Sequence, residues 1–258
     1  MSIRPVIHWF RRDLRLRDNL ALHAAIESDV PVIPLFIYDP VILDSERVGA
    51  PRLAFWMNAL ESLDESLRAY ETWLLVRQGK PLEVLQELIE KTKARALYFN
   101  RDYSPYARRR DDNIAHTLDI DVYIDDDNLL IAPENIETGK GDPYTVYTPF
   151  MKKWKKKEKL PLSECDFKSD HFYGLQGLRN DGIDAIEKPE TIELPEATEA
   201  AAQQRLDDFL ADGIHAYTEQ RNFLPIQPFQ DNAPDGSSYL SPYLRTGLIA
   251  SRTLYYAA

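Results

Sequence analysis

Apolar residues recur along the first half of the chain in short, nearly unbroken runs, separated by longer stretches with helical spacing. Val6 to Phe10, VPVIPLFIY at 30–38, TWLLVRQ at 72–78, ALYFN at 96–100 and DVYI at 121–124 each have the length of a strand. Val6 to Phe10 reads as a buried strand. Between the runs the period changes. Helices are predicted over 19–28 with Asp18 as cap, from Pro51 to about Tyr70, from Pro81 through PLEVLQELIEK, and from Tyr106 to Leu118. Strands alternating with helices of this length predict an α/β fold, a doubly wound five-stranded parallel sheet within residues 1–130.

Beyond residue 125 the alternation stops. Residues 131–197 have turn formers without helical periodicity and read as an irregular connection, acidic and proline-marked over 160–197. Helical spacing returns from about 198. Two further helix starts are predicted near the end, Ser241 as N-cap with Pro242 in the first turn, and Ser251.

Composition narrows the class. The chain has 258 residues and is 44% hydrophobic, enough for a sizeable core. Its single cysteine, Cys165, excludes an internal disulfide and cannot by itself make a zinc site. No apolar stretch approaches the roughly 20 residues of a membrane span, and the N-terminus lacks a signal-like apolar region, so a cytoplasmic location without membrane partners is expected. The net charge of −11 argues against a surface coated for DNA. Charge is unevenly spread, with ten acids against Lys188 and Arg205 over 181–212, and basic runs at Arg108–Arg110 and KKWKKKEK, 152–159. Those runs read as solvated faces.

The first strand ends in RRDLRLRD, six charges in eight residues, and no glycine precedes Gly49. A G-x-G-x-x-G phosphate turn is therefore excluded there. Ligands of such sheets sit beyond the carboxyl ends of the strands, which places FRRDLR, YDPVILDSERVGAPR and NRDYSPYARRR at one rim. Their charges suit either a polar ligand or an internal ion network of Arg11, Arg12, Asp13, Arg15 and Asp18, and the network is the favoured reading.

Five ordered motifs carry a resemblance: HWFRRDLRLRDN at 8–19, TGKGDPYTVYTPFMKKW at 138–154, RLDDFL at 205–210, YTEQRNF at 217–223 and SSYLSPYLRTG at 237–247. Across essentially its whole length the chain resembles the DNA photolyase and cryptochrome family. The resemblance implies a Rossmann-like antenna-chromophore domain over 1–130, an interdomain connection over 131–197, and the beginning of an all-α FAD-binding domain over 198–258. The implied reaction is light-driven repair of pyrimidine dimers by an electron from reduced FAD, on UV-damaged DNA whose target nucleotide is flipped out of the duplex. The alternatives are a cryptochrome-like blue-light sensor and a stand-alone chromophore- or nucleotide-binding module.

Residue by residue, the resemblance assigns FAD contacts to Tyr217 and to the loop Ser237, Ser238, Tyr239, Leu240 and Ser241, whose hydroxyls and N–H groups suit a diphosphate. Ser237 stands where threonine is usual and Tyr239 where arginine is commoner. Arg221 is assigned to DNA phosphate. Arg52, Asp102 and Arg245 are assigned to an antenna pocket for 8-hydroxy-deazaflavin in preference to methenyltetrahydrofolate, because Ser104 occupies the position of the folate branch's glutamate. No catalytic residue or metal ligand is assigned, and a monomer is expected for the whole protein. The family's isoalloxazine pocket and tryptophan path are expected outside this sequence. The apolar positions Leu206, Phe209, Leu210, Tyr217, Leu240, Leu244, Leu248 and Tyr255 would then lack partners, and Trp9, Trp56, Trp73 and Trp154 would serve packing.

Overall fold

A computed structural model describes residues 4–43, 49–190, 193–220 and 237–258. Strands β1 (Val6–Phe10), β2 (Val32–Tyr38), β3 (Leu75–Gln78), β4 (Ala96–Asn100) and β5 (Asp121–Asp125) form one parallel sheet in the order β3-β2-β1-β4-β5. Helices α1 (Leu20–Ile26), α2 (Pro40–Leu43), α3 (Ala50–Arg68), α4 (Pro81–Thr92) and α5 (Pro105–Thr117) accompany the strands. Then come α6 (Tyr147–Lys156), α7 (Glu199–Asp208), a π-helical turn (Phe209–Gly213), α8 (Ile214–Gln220), α9 (Ser241–Thr246) and α10 (Ser251–Ala257).

Period-two alternation sends Val6 and Phe10 to one face of β1 and Ile7 and Trp9 to the other, and both faces are dry. Leu22 of α1 and Phe55, Leu60 and Leu63 of α3 cover the first face, while Leu85 of α4 and Ile114 of α5 cover the second. The α/β class and the five-stranded parallel sheet expected from the apolar runs are present. β3 is shorter than its run, because Glu71 turns the chain at φ 58° and the Leu74 N–H donates to Asp64 Oδ1 (2.8 Å) instead of to a strand. The free side of β3 is covered by the connection. Val76 N–H donates to Asn180 Oδ1 (2.9 Å), Asp181 N–H to Val76 O (2.8 Å) and Gln78 N–H to Asp181 Oδ2 (2.8 Å).

Two capping expectations are corrected. Asn19, not Asp18, caps α1 by accepting from the Leu22 N–H (3.2 Å), because Asp18 sits at φ 48° with its carboxylate engaged elsewhere. Ser241 is the first residue of α9 rather than its cap; Leu240 precedes it, with no side-chain cap bond. The helix start expected at Ser251 is present as the first residue of α10.

The expected shortage of C-terminal partners is also corrected. Leu206, Leu240 and Leu248 are at most 2% exposed and belong to the cluster that holds Phe10, Leu14 and Phe55. Phe209, Leu210 and Leu244 are half-buried, and Tyr217 and Tyr255 remain exposed. The partners are supplied by residues nearly 200 positions away, which local periodicity does not register.

Gly247 ends α9 at φ 78°, and a Cβ there would run into the Arg12 carbonyl oxygen. Only glycine allows α9 to lie this close to the loop after β1. Gly247→Ala is expected to cost about 2–4 kcal/mol through strain and displaced backbone, measured by urea unfolding. An unchanged midpoint would contradict the close fit.

His8 lies wholly buried in β1, edge-on to Phe10 (4.3 Å), with no hydrogen-bond partner for either ring nitrogen among the described residues. Burial pushes its pKa down to about 3, against the opposing pull of Asp127. The unfolded chain takes up this proton near pH 6.5, so the contribution is full above that value and is lost progressively as pH falls toward 3. Stability should drop by about 2 kcal/mol between pH 7 and pH 5 through this residue. Urea titrations of His8→Leu at the two pH values should show that component missing, and an equal drop in both proteins would refute the assignment.

Candidate functional site

β1 and β4 pair only from Val6↔Ala96 to His8↔Tyr98, and the strand order reverses between them. Their carboxyl ends therefore open a crevice, and the charged loop after β1 fills it. Arg11 is clamped by both Asp111 oxygens (2.8 Å each) and by the Asn100 carbonyl, with its guanidinium over Phe99 (4.4 Å) and Trp9 (5.0 Å). Asp13 accepts from the Arg11 N–H (2.6 Å) and Asn100 Nδ2 (2.6 Å), while burial raises its pKa.

Arg15, 2% exposed, donates from Nη2 to Asp127 Oδ2 (2.5 Å) and Asp18 O (2.8 Å), from Nη1 to Gly247 O (3.0 Å) and from Nε to Arg17 O (3.0 Å). Arg252 takes the other Asp127 oxygen (2.7 Å) and Asp18 Oδ1 (2.9 Å). Burial alone would raise the Asp127 carboxyl, but Arg15 and Arg252 outweigh it and hold the group below its usual range. The favoured internal network is thus present for Arg11, Asp13, Arg15 and Asp18.

Arg12 departs from that reading. It is 36% exposed at the mouth, with Nη1 3.6 Å from Asp102 Oδ1 and Nε donating to Arg245 O (3.4 Å). Burial pushes the Asp102 carboxyl up, yet the Ser104 N–H and the guanidinia of Arg12, Arg11 and Arg110 bring it below normal. Two of the three expected antenna residues, Asp102 and Arg245, thus meet through Arg12, which sequence reasoning had assigned to the interior. The available signal was its position next to Arg11, whose clamp forces the neighbouring side chain outward. Arg52 lies exposed in the first turn of α3, one turn ahead of Phe55, whose ring meets Tyr243 of α9 edge-on (5.5 Å). Nearby, Tyr106 donates to Asp39 (2.6 Å); burial and then that carboxylate push its pKa up to about 12.

The expected diphosphate loop leads into α9. Ser237 and Ser238 are half-buried, Tyr239 turns the chain at φ 50°, Leu240 is buried and Ser241 is exposed at the helix start. Tyr239 brings no charge, and the Arg205 guanidinium lies 5.7 Å from its ring. Hydroxyls and N–H groups at a helix start are the chemistry a diphosphate would need. Tyr217 sits on α8 against Phe209 (5.9 Å), and Arg221 lies outside the described residues. The cavity between Arg15, Asp127, Leu244 and Ser251 holds about 190 Å³, below the range of about 300–1,000 Å³ that accommodates a flavin-sized ligand. Among the described residues no helix is long and apolar enough to cross a membrane.

The family profile described as DNA photolyase matches residues 6–166. A deoxyribodipyrimidine photo-lyase of a Synechococcus species (strain ATCC 27144) is 34% identical over 98% of this chain and 53% of its own length. An uncharacterized 31.6 kDa protein of Synechococcus strain PCC 6716 is 36% identical over 100% of this chain and 90% of its own. The crystal structure of a class III photolyase from Agrobacterium tumefaciens superposes with a TM-score of 0.84 at 28% identity, over 100% of this chain and 53% of that one. The chain therefore spans about half the length of these photolyases. Sheet order, rim and profile agree: the chain belongs to the DNA photolyase family.

Proposed function

We propose that this chain serves the light-driven repair of pyrimidine dimers in DNA, contributing the antenna-chromophore domain (1–130), the connection (131–197) and the first part of the FAD-binding region (198–258). One observation carries the reading. Three successive carbonyls at the end of α9, those of Arg245, Thr246 and Gly247, accept from Arg12 Nε, the Leu14 N–H and Arg15 Nη1 of the loop after β1. The element that begins at the diphosphate loop is thereby fixed to the antenna rim, so two chromophores would share one rigid support.

In this reading Arg12, Arg245 and Asp102 orient an antenna chromophore, with Arg52 closing the pocket from α3. Ser104 offers no carboxylate for a folate, which favours 8-hydroxy-deazaflavin. Ser237, Ser238 and Ser241 hold the FAD diphosphate by hydroxyl donation, Leu240 contributes backbone, Tyr217 packs nearby, and Arg221 engages DNA phosphate. Reduced FAD, when bound, supplies the electron. In this reading the whole protein is cytoplasmic and monomeric.

A second reading, a chromophore-binding module without repair chemistry, is favoured by the burial of Leu206, Leu240 and Leu248 against the sheet domain. Two measurements separate them. Titration with 8-hydroxy-5-deazaflavin should show binding, and Asp102→Asn should weaken it about tenfold, or about 1.4 kcal/mol. Blue light acting on a dimer-containing oligonucleotide with the protein purified from its source should restore intact pyrimidines, with none restored in the dark. Chromophore binding without light-dependent repair would favour the second reading, repair without deazaflavin binding would reject the antenna assignment alone, and neither binding nor repair would reject both.

A further inference from the structure

Arg252 is only 1% exposed and joins α10 to Asp18 of the loop after β1 and to Asp127 beyond β5. Its Nε and Nη2 reach Asp18 Oδ1 (3.1 and 2.9 Å), and Nη2 also reaches Asp18 O (2.8 Å) and Asp127 Oδ1 (2.7 Å). The remaining Asp127 oxygen belongs to Arg15, whose Nη1 holds Gly247 O. The chain of contacts thus runs Arg252, Asp127, Arg15, Gly247, and it ends two residues from Arg245. From the same helix Thr253 Oγ1 donates to Asp18 Oδ2 (3.1 Å), and Tyr256 Oη donates to Lys159 O (3.0 Å). α10 is therefore gripped on both sides, and α9 has little freedom between it and the loop after β1.

We propose that Arg252 is a positioning residue for the rim site: by joining Asp18 to Asp127 it holds α9 against the loop after β1 and so sets Arg245 opposite Arg12 and Asp102. The ligand class is a planar chromophore with an acidic hydroxyl, and in this respect the inference rests on the antenna reading above. A lysine at 252 keeps the charge but lacks the planar fork that spans two carboxylates, so Arg252→Lys is not conservative here.

The test is a double-mutant cycle read by 8-hydroxy-5-deazaflavin binding to the full chain. Arg252→Lys and Arg245→Ala should each weaken binding about tenfold, and the double variant should also be weakened only about tenfold, because both losses act through one side chain. Multiplying losses, about a hundredfold, would overturn the proposal, since a merely structural effect is independent of Arg245. Hydrogen exchange gives a ligand-free readout. The Leu14 amide, which donates to Thr246 O (3.2 Å), should exchange at least about tenfold faster in Arg252→Lys, with the Trp9 amide unchanged. Unchanged Leu14 exchange would also overturn it. If the unsubstituted chain takes no deazaflavin, the antenna reading fails and the exchange result alone decides the positioning role. Should Arg252→Lys not fold, Asp18→Asn carries both readouts, because asparagine tolerates the left-handed φ of 48° at that position.

Discussion

A guanidinium buried at the carboxyl end of the sheet, that of Arg15, organises everything packed around it. Removing such a charge from water costs several kcal/mol, and the cost is offset only if its donors are matched. Here they are matched by a carboxylate at the end of β5, a carbonyl at the end of α9 and two carbonyls of its own loop. Those partners come from three parts of the chain separated by more than a hundred residues, so the charge is satisfied only when sheet, loop and C-terminal helices are assembled together. Asp127 extends the lattice to Arg252 and Asp18, and Asp18 extends it to the connection by accepting from the Ser163 N–H (2.9 Å).

This lattice takes the place of the glycine-rich turn that many doubly wound sheets present at the same crevice. Because Arg11 and Arg15 are turned inward by their carboxylates, the crevice floor is closed to a phosphate, and in the proposed antenna reading recognition moves outward to the mouth. There Arg12 stands beside Asp102 and under α9, partly exposed, and its pKa is lowered by burial first and then by the neighbouring Arg245 guanidinium. In that reading, the same lattice that closes the floor supports the wall of the proposed site.

The sheet was legible in the sequence because strands buried on both faces leave unbroken apolar runs, and β1, β2 and β4 are of this kind. The internal role of Arg11, Asp13 and Arg15 was legible from charge density next to a buried strand. What escaped was non-local. Asp18 looks like a helix cap in sequence, but Arg252, Thr253 and Ser163 claim its carboxylate, and the cap falls to Asn19. Leu240 and Leu248 look unpartnered because the residues that bury them precede them by nearly the whole length of the chain. Arg12 was misassigned for a related reason: adjacent arginines look alike in sequence, and only the clamp on Arg11 separates them.

The most direct measurement of this dependence is a hydrogen-exchange difference map between the unsubstituted chain and Arg15→Met, which keeps most of the side-chain volume and removes the charge. The expected result is loss of protection at Leu14, Gly247 and Leu254 together, with a stability decrease of about 3–5 kcal/mol, because Asp127 keeps only Arg252 as a charged partner and the carbonyls of Arg17, Asp18 and Gly247 each lose a donor. Faster exchange confined to the loop after β1, with α9 and α10 as protected as before, would show that the C-terminal helices are held by apolar burial alone and would contradict the central role of Arg15.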